Sequence, residues 1–393
     1  MSRELKNGIF FVGALDRERT LFDGLIPLPD GTSYNSYLVR GSEKIALVDT
    51  VEPDKTAVLL GNLEELGVDK IDYVISHHAE QDHSGAIPEI LARYPQAQVV
   101  TNPKCQKLLM SLLEIDEDRI VTVADGDTLS LGDKTFRFFY TPWVHWPETM
   151  CSYLEEDKIA FTCDFFGSHL AGDTLFVSNE QQVQNDAKRY FAQIMMPFRM
   201  QIRKNLEKIK ALEIDLIAPS HGPVYDKPQM IIDAYSDWVS DTVKNQVVVP
   251  YVSMHGSTQK LVDYFSQALA QRSVAVQAFN LVEADIGELA IALVDAATVV
   301  IGSPTVLTGP HPAAAQAAFL INLLRPKTKF LSIICSYGWA GKTVEQLKEM
   351  TARLQVEFLE PVLVLGRPEK QDLEALDQLA DAIVQKHQSI GII

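Results

Sequence analysis

The segment from Ser76 to Ser84 reads SHHAEQDHS. It places His78, Glu80, Asp82 and His83 close together, with His77 beside them. Imidazole nitrogen and carboxylate oxygen are the donor types that hold divalent metal ions. Alternate positions of an extended segment point the same way, so His78, Glu80 and Asp82 can converge on a small volume. His77 then points away, as a supporting group or a solvated one. Three more donors follow β-type runs: His145 in YTPWVHWPET, Asp164 ending KIAFTCD, and His221 in the turn after LIAPS. Strand ends of this kind are where α/β folds gather functional groups.

Four histidines, two aspartates and one glutamate are too many donors for one zinc ion. They suit two metals bridged by a carboxylate. The set is rich in oxygen and has no thiolate, which favours iron or manganese over zinc. Two histidines and a carboxylate on each metal would leave open positions, as oxygen-activating iron requires. A lone histidine or aspartate in a loop is usually only solvated, and HxExDH alone would also serve a hydrolytic zinc site. The three further donors at strand ends carry the argument. His169, in FFGSHL, reads either as a hydrogen-bonding support or as a surface histidine.

The elements that position these residues change character along the chain. The first ~245 residues carry short β-type runs such as SYNSYLVRG, KIALVDT, IDYVIS, AQVVTN, FRFFYTP, KIAFTCD and LIAPS. Helical stretches at 55–68 and 87–95 lie among them, and a helix is expected to start near Ser84. From about 247 strand and helix alternate strictly. VVVPYVS, AVQAFNL, TVVIGSP, KFLSIICSYG and VEFLEPVLVLG read as five strands, each followed by an amphipathic helix. That is a doubly wound parallel sheet. The joint falls near 234–246, giving domains 1–245 and 246–393.

Composition bounds the function class. A chain of 393 residues with 47% hydrophobic content can bury two cores. A formal charge of −17 argues against nucleic acid and anionic membrane as partners. Cys105, Cys151, Cys163 and Cys335 form no CxxC pair, so no zinc ribbon, rubredoxin knuckle or thioredoxin site is expected. They read as buried thiols in a reducing compartment. The N-terminus has no signal-peptide core and no apolar run is long enough to span a membrane. A cytoplasmic location is expected.

The order HxExDH, then His, Asp and His, resembles the metallo-β-lactamase fold, whose hydrolases carry HxHxDH. Here Glu80 stands in place of the second histidine. With the flavodoxin-like alternation that follows, and with TSYNSYLV and HWPET, the whole chain resembles the flavodiiron proteins, or A-type flavoproteins. The resemblance implies an αββα sandwich followed by a flavodoxin-like five-stranded sheet. It implies a non-haem di-iron site, with one iron on His78, Glu80 and His145, the other on Asp82, His83 and His221, and Asp164 bridging.

The turn MHGSTQK after the first strand of the second domain lacks both GxxxxGK[ST] and GxGxxG. Rich in hydroxyls and lacking a turn lysine, it suits one phosphate monoester at a helix N-terminus, as in FMN, although many such turns merely cap helices. The resemblance implies that 253–258, 303–307 and 336–341 line FMN. The residues so assigned are Ser253, Met254, His255, Gly256, Ser257 and Thr258 in the first loop. Ser303, Pro304, Thr305, Val306 and Leu307 form the second. Ser336, Tyr337, Gly338, Trp339 and Gly341 form the third. Trp339 either stacks on the flavin ring or packs in the core. The middle loop, with TGPHP, offers no aromatic ring.

The resemblance further implies reduction of dioxygen to water, nitric oxide to nitrous oxide, or both, with electrons passing through FMN. The donor would be a separate protein, a rubredoxin above all. A head-to-tail homodimer, or a dimer of dimers, would set one subunit's FMN beside the other's irons. Tyr190 reads as a proton or hydrogen-bond donor at the diatomic, or as a packed helix residue. Two rival readings remain: a zinc-dependent hydrolase with a flavodoxin-like appendage, and an FMN electron carrier with a relic metal set.

Overall fold

The computed structural model describes residues 2–339 and 341–393. They form two compact units. One runs to Phe191 and resumes over Phe198–Val239; the other holds Ala192–Pro197 and Ser240–Ile393. The units part at 239/240 rather than 245/246. The first strand of the second unit begins at Lys244, ahead of the apolar run, where the Lys244 N–H donates to Asp295 O at 2.7 Å.

The first unit stacks two sheets. The larger runs in the order Arg3–Lys6, Ile9–Phe11, Tyr37–Arg40, Ile45–Val48, Tyr73–Ile75, Gln98–Thr101 and Ile120–Thr122. Its pairs are antiparallel up to Ile45–Val48 and parallel beyond it. The smaller runs Thr128–Ser130, Thr135–Tyr140, Met150–Leu154, Ile159–Cys163 and Leu216–Pro219, antiparallel except for its last pair.

Strand alternation decides what each face touches. Tyr37, Val39, Ala46, Val48 and Val100 pack with Phe136, Phe138, Met150 and Phe161 in the core between the sheets. Their neighbours Leu38, Leu47, Val74 and Val99 join the opposite core with Leu59, Leu63, Ile87, Ile90 and Leu109. Those last five come from the helices Thr56–Glu65, Ile87–Arg93 and Pro103–Leu113. The helix Arg199–Lys210 lies at the end of the smaller sheet, where the Asn205 amide donates to Pro142 O at 3.0 Å, and Tyr235 of the helix Pro228–Trp238 packs on Phe165 and Phe166 just beyond Ile159–Cys163. Strands covered on both sides lose the polar alternation of a surface sheet. Met150–Leu154 is buried at all five positions for that reason. Truncating Phe161 to alanine between the sheets costs about 3–5 kcal/mol.

The second unit is a parallel sheet in the order Ala275–Asn280, Lys244–Tyr251, Ala296–Val306, Phe330–Tyr337. The fifth position holds two short strands, Glu357–Phe358 and Val362–Leu365, both parallel to Phe330–Tyr337. The run VEFLEPVLVLG is therefore split. Pro361 sits in the gap, and it has no N–H to give to the ladder. The helices Ser257–Gln271, Ile286–Leu293, Pro312–Leu324, Thr343–Met350 and Lys370–Ser389 complete the crossovers. The strand order reverses beside Lys244–Tyr251, which is where such folds bind ligands.

Candidate functional site

All seven sequence-selected donors of the first unit come together at strand ends. His78 and Glu80 follow Tyr73–Ile75, and His145 follows Thr135–Tyr140. Asp164 follows Ile159–Cys163, and His221 follows Leu216–Pro219. The helix expected near Ser84 starts earlier, as Gln81–Ser84, with the His83 N–H donating to Glu80 O at 3.0 Å. This turn rotates Asp82 away from His78 and Glu80, so the three do not alternate along one extended segment. Asp82 instead joins His83 and His221.

The result is one group of His78, Glu80, His145 and Asp164 and a second of Asp82, His83 and His221, with Asp164 reaching both through its two oxygens and the buried Cys163 thiol close to His83 and Asp164. In the first, Glu80 Oε2 lies 3.0 Å from His78 Nε2 and 3.2 Å from His145 Nε2. Asp164 Oδ2 lies 3.6 Å from both imidazoles. In the second, Asp82 lies 3.3 Å from His83 Nε2 through Oδ1 and 3.2 Å from His221 Nε2 through Oδ2. Asp164 Oδ1 lies 3.1 Å from His83 Nε2 and 3.4 Å from His221 Nε2. Two donors at about 2.1 Å from one ion stand roughly 3.0–3.4 Å apart, for right-angled to tetrahedral arrangements. The spacing therefore fits one ion per group. Both oxygens of Asp82, Nε2 of His83 and Oδ2 of Asp164 are buried and make no hydrogen bond within the chain. Buried polar atoms seldom stay unpaired unless an ion or water takes them.

The electrostatics agree. Burial opposes a charge on His78, but Glu148 and Glu80 outweigh it and lift its basicity well above the imidazole norm. His221 is pushed up to about 10, burial being outweighed by Asp164 and Asp82. Burial also opposes the charge on Asp164, yet His83 and His221 hold its carboxyl well below the usual range. A pocket that keeps its carboxylates ionised and draws protons onto its imidazoles is one that calls for positive charge.

The support behind the donors was only partly legible. His77 is fully buried rather than solvated: Nδ1 lies 2.8 Å from Asp49 Oδ2 and Nε2 lies 2.9 Å from Ser152 Oγ. Glu148, unassigned from sequence, stands 2.6 Å from His78 Nδ1. It is the glutamate of HWPET, and Asn102, the N-cap of Pro103–Leu113, holds its loop by donating to Glu148 O at 2.5 Å. His221 Nδ1 lies 2.6 Å from Ser33 O. An ionised carboxylate and a carbonyl can only accept, so both imidazoles carry the proton on Nδ1 and turn Nε2 to the cluster. Gly222, at φ +81, follows His221 where an added Cβ would meet Ser168 Oγ at 2.0 Å. His169 is buried beside His221, with Nδ1 2.9 Å from Thr32 Oγ1, so it is no surface residue. The Tyr190 hydroxyl donates to Asp164 Oδ1 at 2.7 Å. A larger cavity of about 380 Å³, bounded by Asp30, Asn35 and Asp173, contains none of the seven donors.

In the second unit a cavity of about 180 Å³ gathers Ser253, Met254, His255, Ser257, Thr258, Pro304, Thr305, Ser336, Tyr337 and Gly338. Gly256, at φ +86, opens the helix Ser257–Gln271, whose first turn no side chain of the N-cap residue satisfies. Ser253 Oγ instead accepts from the N–H groups of Gly256 and Gln259, both at 3.2 Å. Thr258 and Ser336 share a hydrogen bond of 2.8 Å across the cavity. Ser303 is buried and accepts from the His311 N–H at 3.0 Å, so it shapes the middle loop without lining the cavity. Val306 and Leu307 belong to a tight hairpin with Gly309–Pro310, in which Leu307 and Thr308 have positive φ and Leu307 is 90% exposed. Trp339 is 64% exposed, which removes the core-packing alternative. Gly341 lies against Thr305, and Ala340 lies outside the described residues. Gly366, beyond the fifth strand, completes the cavity and carried no sequence signal beyond being a turn glycine.

All four cysteines are free and buried. Among the described residues no helix is long and apolar enough to cross a membrane.

Comparison with known proteins agrees with this architecture. A model of the ODP family β-lactamase domain matches residues 32–222. The chain is 33% identical to the type A flavoprotein FprA of Rhodobacter capsulatus, over 93% of this chain and 87% of the relative. It is 33% identical to the anaerobic nitric oxide reductase flavorubredoxin of Salmonella typhi, over 96% and 80%. The structure of rubredoxin oxygen:oxidoreductase from Desulfovibrio gigas superposes with a TM-score of 0.95 at 28% identity, covering 99% of each chain. With a metallo-β-lactamase-like unit, a flavodoxin-like unit and relatives spanning nearly its whole length, this chain belongs to the type A flavoproteins, the flavodiiron family of oxidoreductases.

Proposed function

We propose that the protein reduces dioxygen to water, nitric oxide to nitrous oxide, or both, using electrons that reach a di-iron site through FMN. The observation that carries this reading is the pair of donor groups sharing Asp164, with Glu80 supplying oxygen where a hydrolytic zinc site would have nitrogen. His78, Glu80 and His145 would hold one iron, Asp82, His83 and His221 the other, and Asp164 would bridge. When bound, the iron pair supplies open coordination positions and electrons to a diatomic substrate, and FMN relays the electrons.

The chain's own residues prepare the site. Three carboxylates, Glu80, Asp82 and Asp164, would face two divalent ions and would leave one positive charge uncompensated. Such a site favours small anions and polarisable diatomics. The aromatic rings of Phe22 and Trp146 pack on His221 and His78 and keep bulk water from the imidazoles. Tyr190 keeps its proton, because burial and the neighbouring Asp164 push its hydroxyl well above the ordinary range. Glu80 and His145 keep 17% and 15% side-chain exposure and form the open side through which a diatomic enters.

The Ser253–Thr258 turn, with the Thr305 and Ser336–Gly338 loops, would hold FMN. The electron donor would be a separate protein of the rubredoxin type, a reading supported by the similarity to a flavorubredoxin and to a rubredoxin oxygen:oxidoreductase. A head-to-tail homodimer would set one subunit's FMN beside the partner's iron pair. Anaerobic protein reduced by rubredoxin and exposed to limiting dioxygen or nitric oxide tests the reading. Catalytic consumption of either gas is expected. Flavin reduction without consumption of either gas would refute it.

A further inference from the structure

Apart from the Cys163 thiol close to His83 and Asp164, the two donor groups have the same composition: two imidazoles and one carboxylate each, plus one oxygen of Asp164. Any electronic difference between them must come from what stands behind the donors. Behind His78 stands the Glu148 carboxylate, buried, 2.6 Å from Nδ1. Behind His221 stands only a neutral backbone carbonyl, Ser33 O, at 2.6 Å. A carboxylate behind an imidazole makes Nε2 the stronger electron donor.

Asp164 adds to the imbalance. Its Oδ2 faces His78 and His145 and makes no hydrogen bond, while its Oδ1 faces His83 and His221 and accepts from the Tyr190 hydroxyl at 2.7 Å. That bond withdraws electron density most strongly from Oδ1, the oxygen facing the second position. Exposure points the same way. In the first group His145 and Glu80 are 15% and 17% exposed and His78 is buried, whereas all three donors of the second, His83, His221 and Asp82, are 1%, 1% and 3% exposed. Water stabilises the more highly charged ion.

We infer that the two iron positions are electronically unequal by construction: the ion on His78, Glu80 and His145 loses its electron first, and the ion on Asp82, His83 and His221 keeps its electron in the half-oxidised pair. This rests on the di-iron reading above. One electron leaves one ferrous ion for the oxidant, and no bond to the protein forms or breaks. Glu148 and Tyr190 are positioning residues here, since each acts through a donor side chain.

The test is an anaerobic redox titration of the holoprotein, following the ferrous–ferric electron-spin signal in wild type, Glu148→Gln and Tyr190→Phe, with iron content measured in each. Glutamine keeps an oxygen for the His78 N–H but removes the charge, so Glu148→Gln should raise the lower midpoint potential. Tyr190→Phe frees Asp164 Oδ1 and should lower the upper one. Each variant should reduce the comproportionation constant about tenfold, equivalent to about 59 mV. General loosening of the site would not move the two potentials in opposite directions. An unchanged or wider separation in iron-loaded Tyr190→Phe overturns the inference, and so does an equal shift of both potentials in Glu148→Gln. Should Glu148→Gln fail to hold iron, Tyr190→Phe decides alone. Wild-type protein without iron overturns the di-iron reading and this inference together, whereas iron present with equal potentials overturns only this inference.

Discussion

The two units build their sites from different parts of the chain. The first turns seven side chains from four strand ends toward one point, and three of them, His78, His221 and Asp164, are held by a hydrogen-bond partner behind them. The second shapes a cavity from four loops, using helix N–H groups, hydroxyls and a glycine at φ +86. A metal ion needs particular atoms at particular distances, so its site is written in residue identity. A phosphate and a planar ring need backbone shape and one face to lie on, and many sequences can supply these. Substitutions should therefore act sharply in the first unit and gradually in the second.

The largest break should come from Asp164→Ala. It removes the carboxylate that reaches both groups and should lower gas consumption more than about 100-fold, judged against the 10–100-fold losses typical of supporting residues. Flavin reduction by the electron donor should stay unchanged, which a stopped-flow measurement of flavin absorbance checks. Glu148→Ala should come next. It leaves the His78 tautomer unfixed and should weaken iron retention against a chelator by roughly 10–100-fold. In the second unit Trp339→Ala should cost about 1 kcal/mol of ring stacking, a roughly fivefold rise in the FMN dissociation constant measured by fluorescence. Unchanged flavin affinity would remove the stacking role.

The same contrast explains what the sequence could reveal. HxExDH with His145, Asp164 and His221 was legible because donor chemistry restricts residue type and the strand ends restrict place. Glu148 was not assigned, since one glutamate in HWPET looks like any loop carboxylate until the fold sets it behind His78. The helix expected near Ser84 begins at Gln81 instead, because a single turn carries no periodicity to fix its start. In the second unit the five-strand alternation was plain from apolar periodicity. The split of the last strand depended on one proline, and the exposed hairpin at Leu307–Thr308 on positive φ values that side chains do not announce.

A smaller effect distinguishes the units by pH. In ion-free protein, His221 is raised to about 10, so its stabilising charge is present below about 6.5 and is lost as pH rises through about 10. His387, in the second unit, is lowered by burial to about 4, between Thr298 and Asn245. Its contribution is present above about 6.5 and is lost as pH falls toward 4. Hydrogen exchange resolved by peptide should show the second unit loosening first in mild acid and the first unit loosening first in alkali. The reverse order would contradict these assignments.

The most direct test is elemental analysis, with a visible spectrum, of protein purified without air. Two irons and one FMN per chain are expected, with iron falling below one per chain in Asp164→Ala while FMN is retained. Two zincs in place of iron, or full flavin with no metal after reconstitution with ferrous salt, would contradict the account.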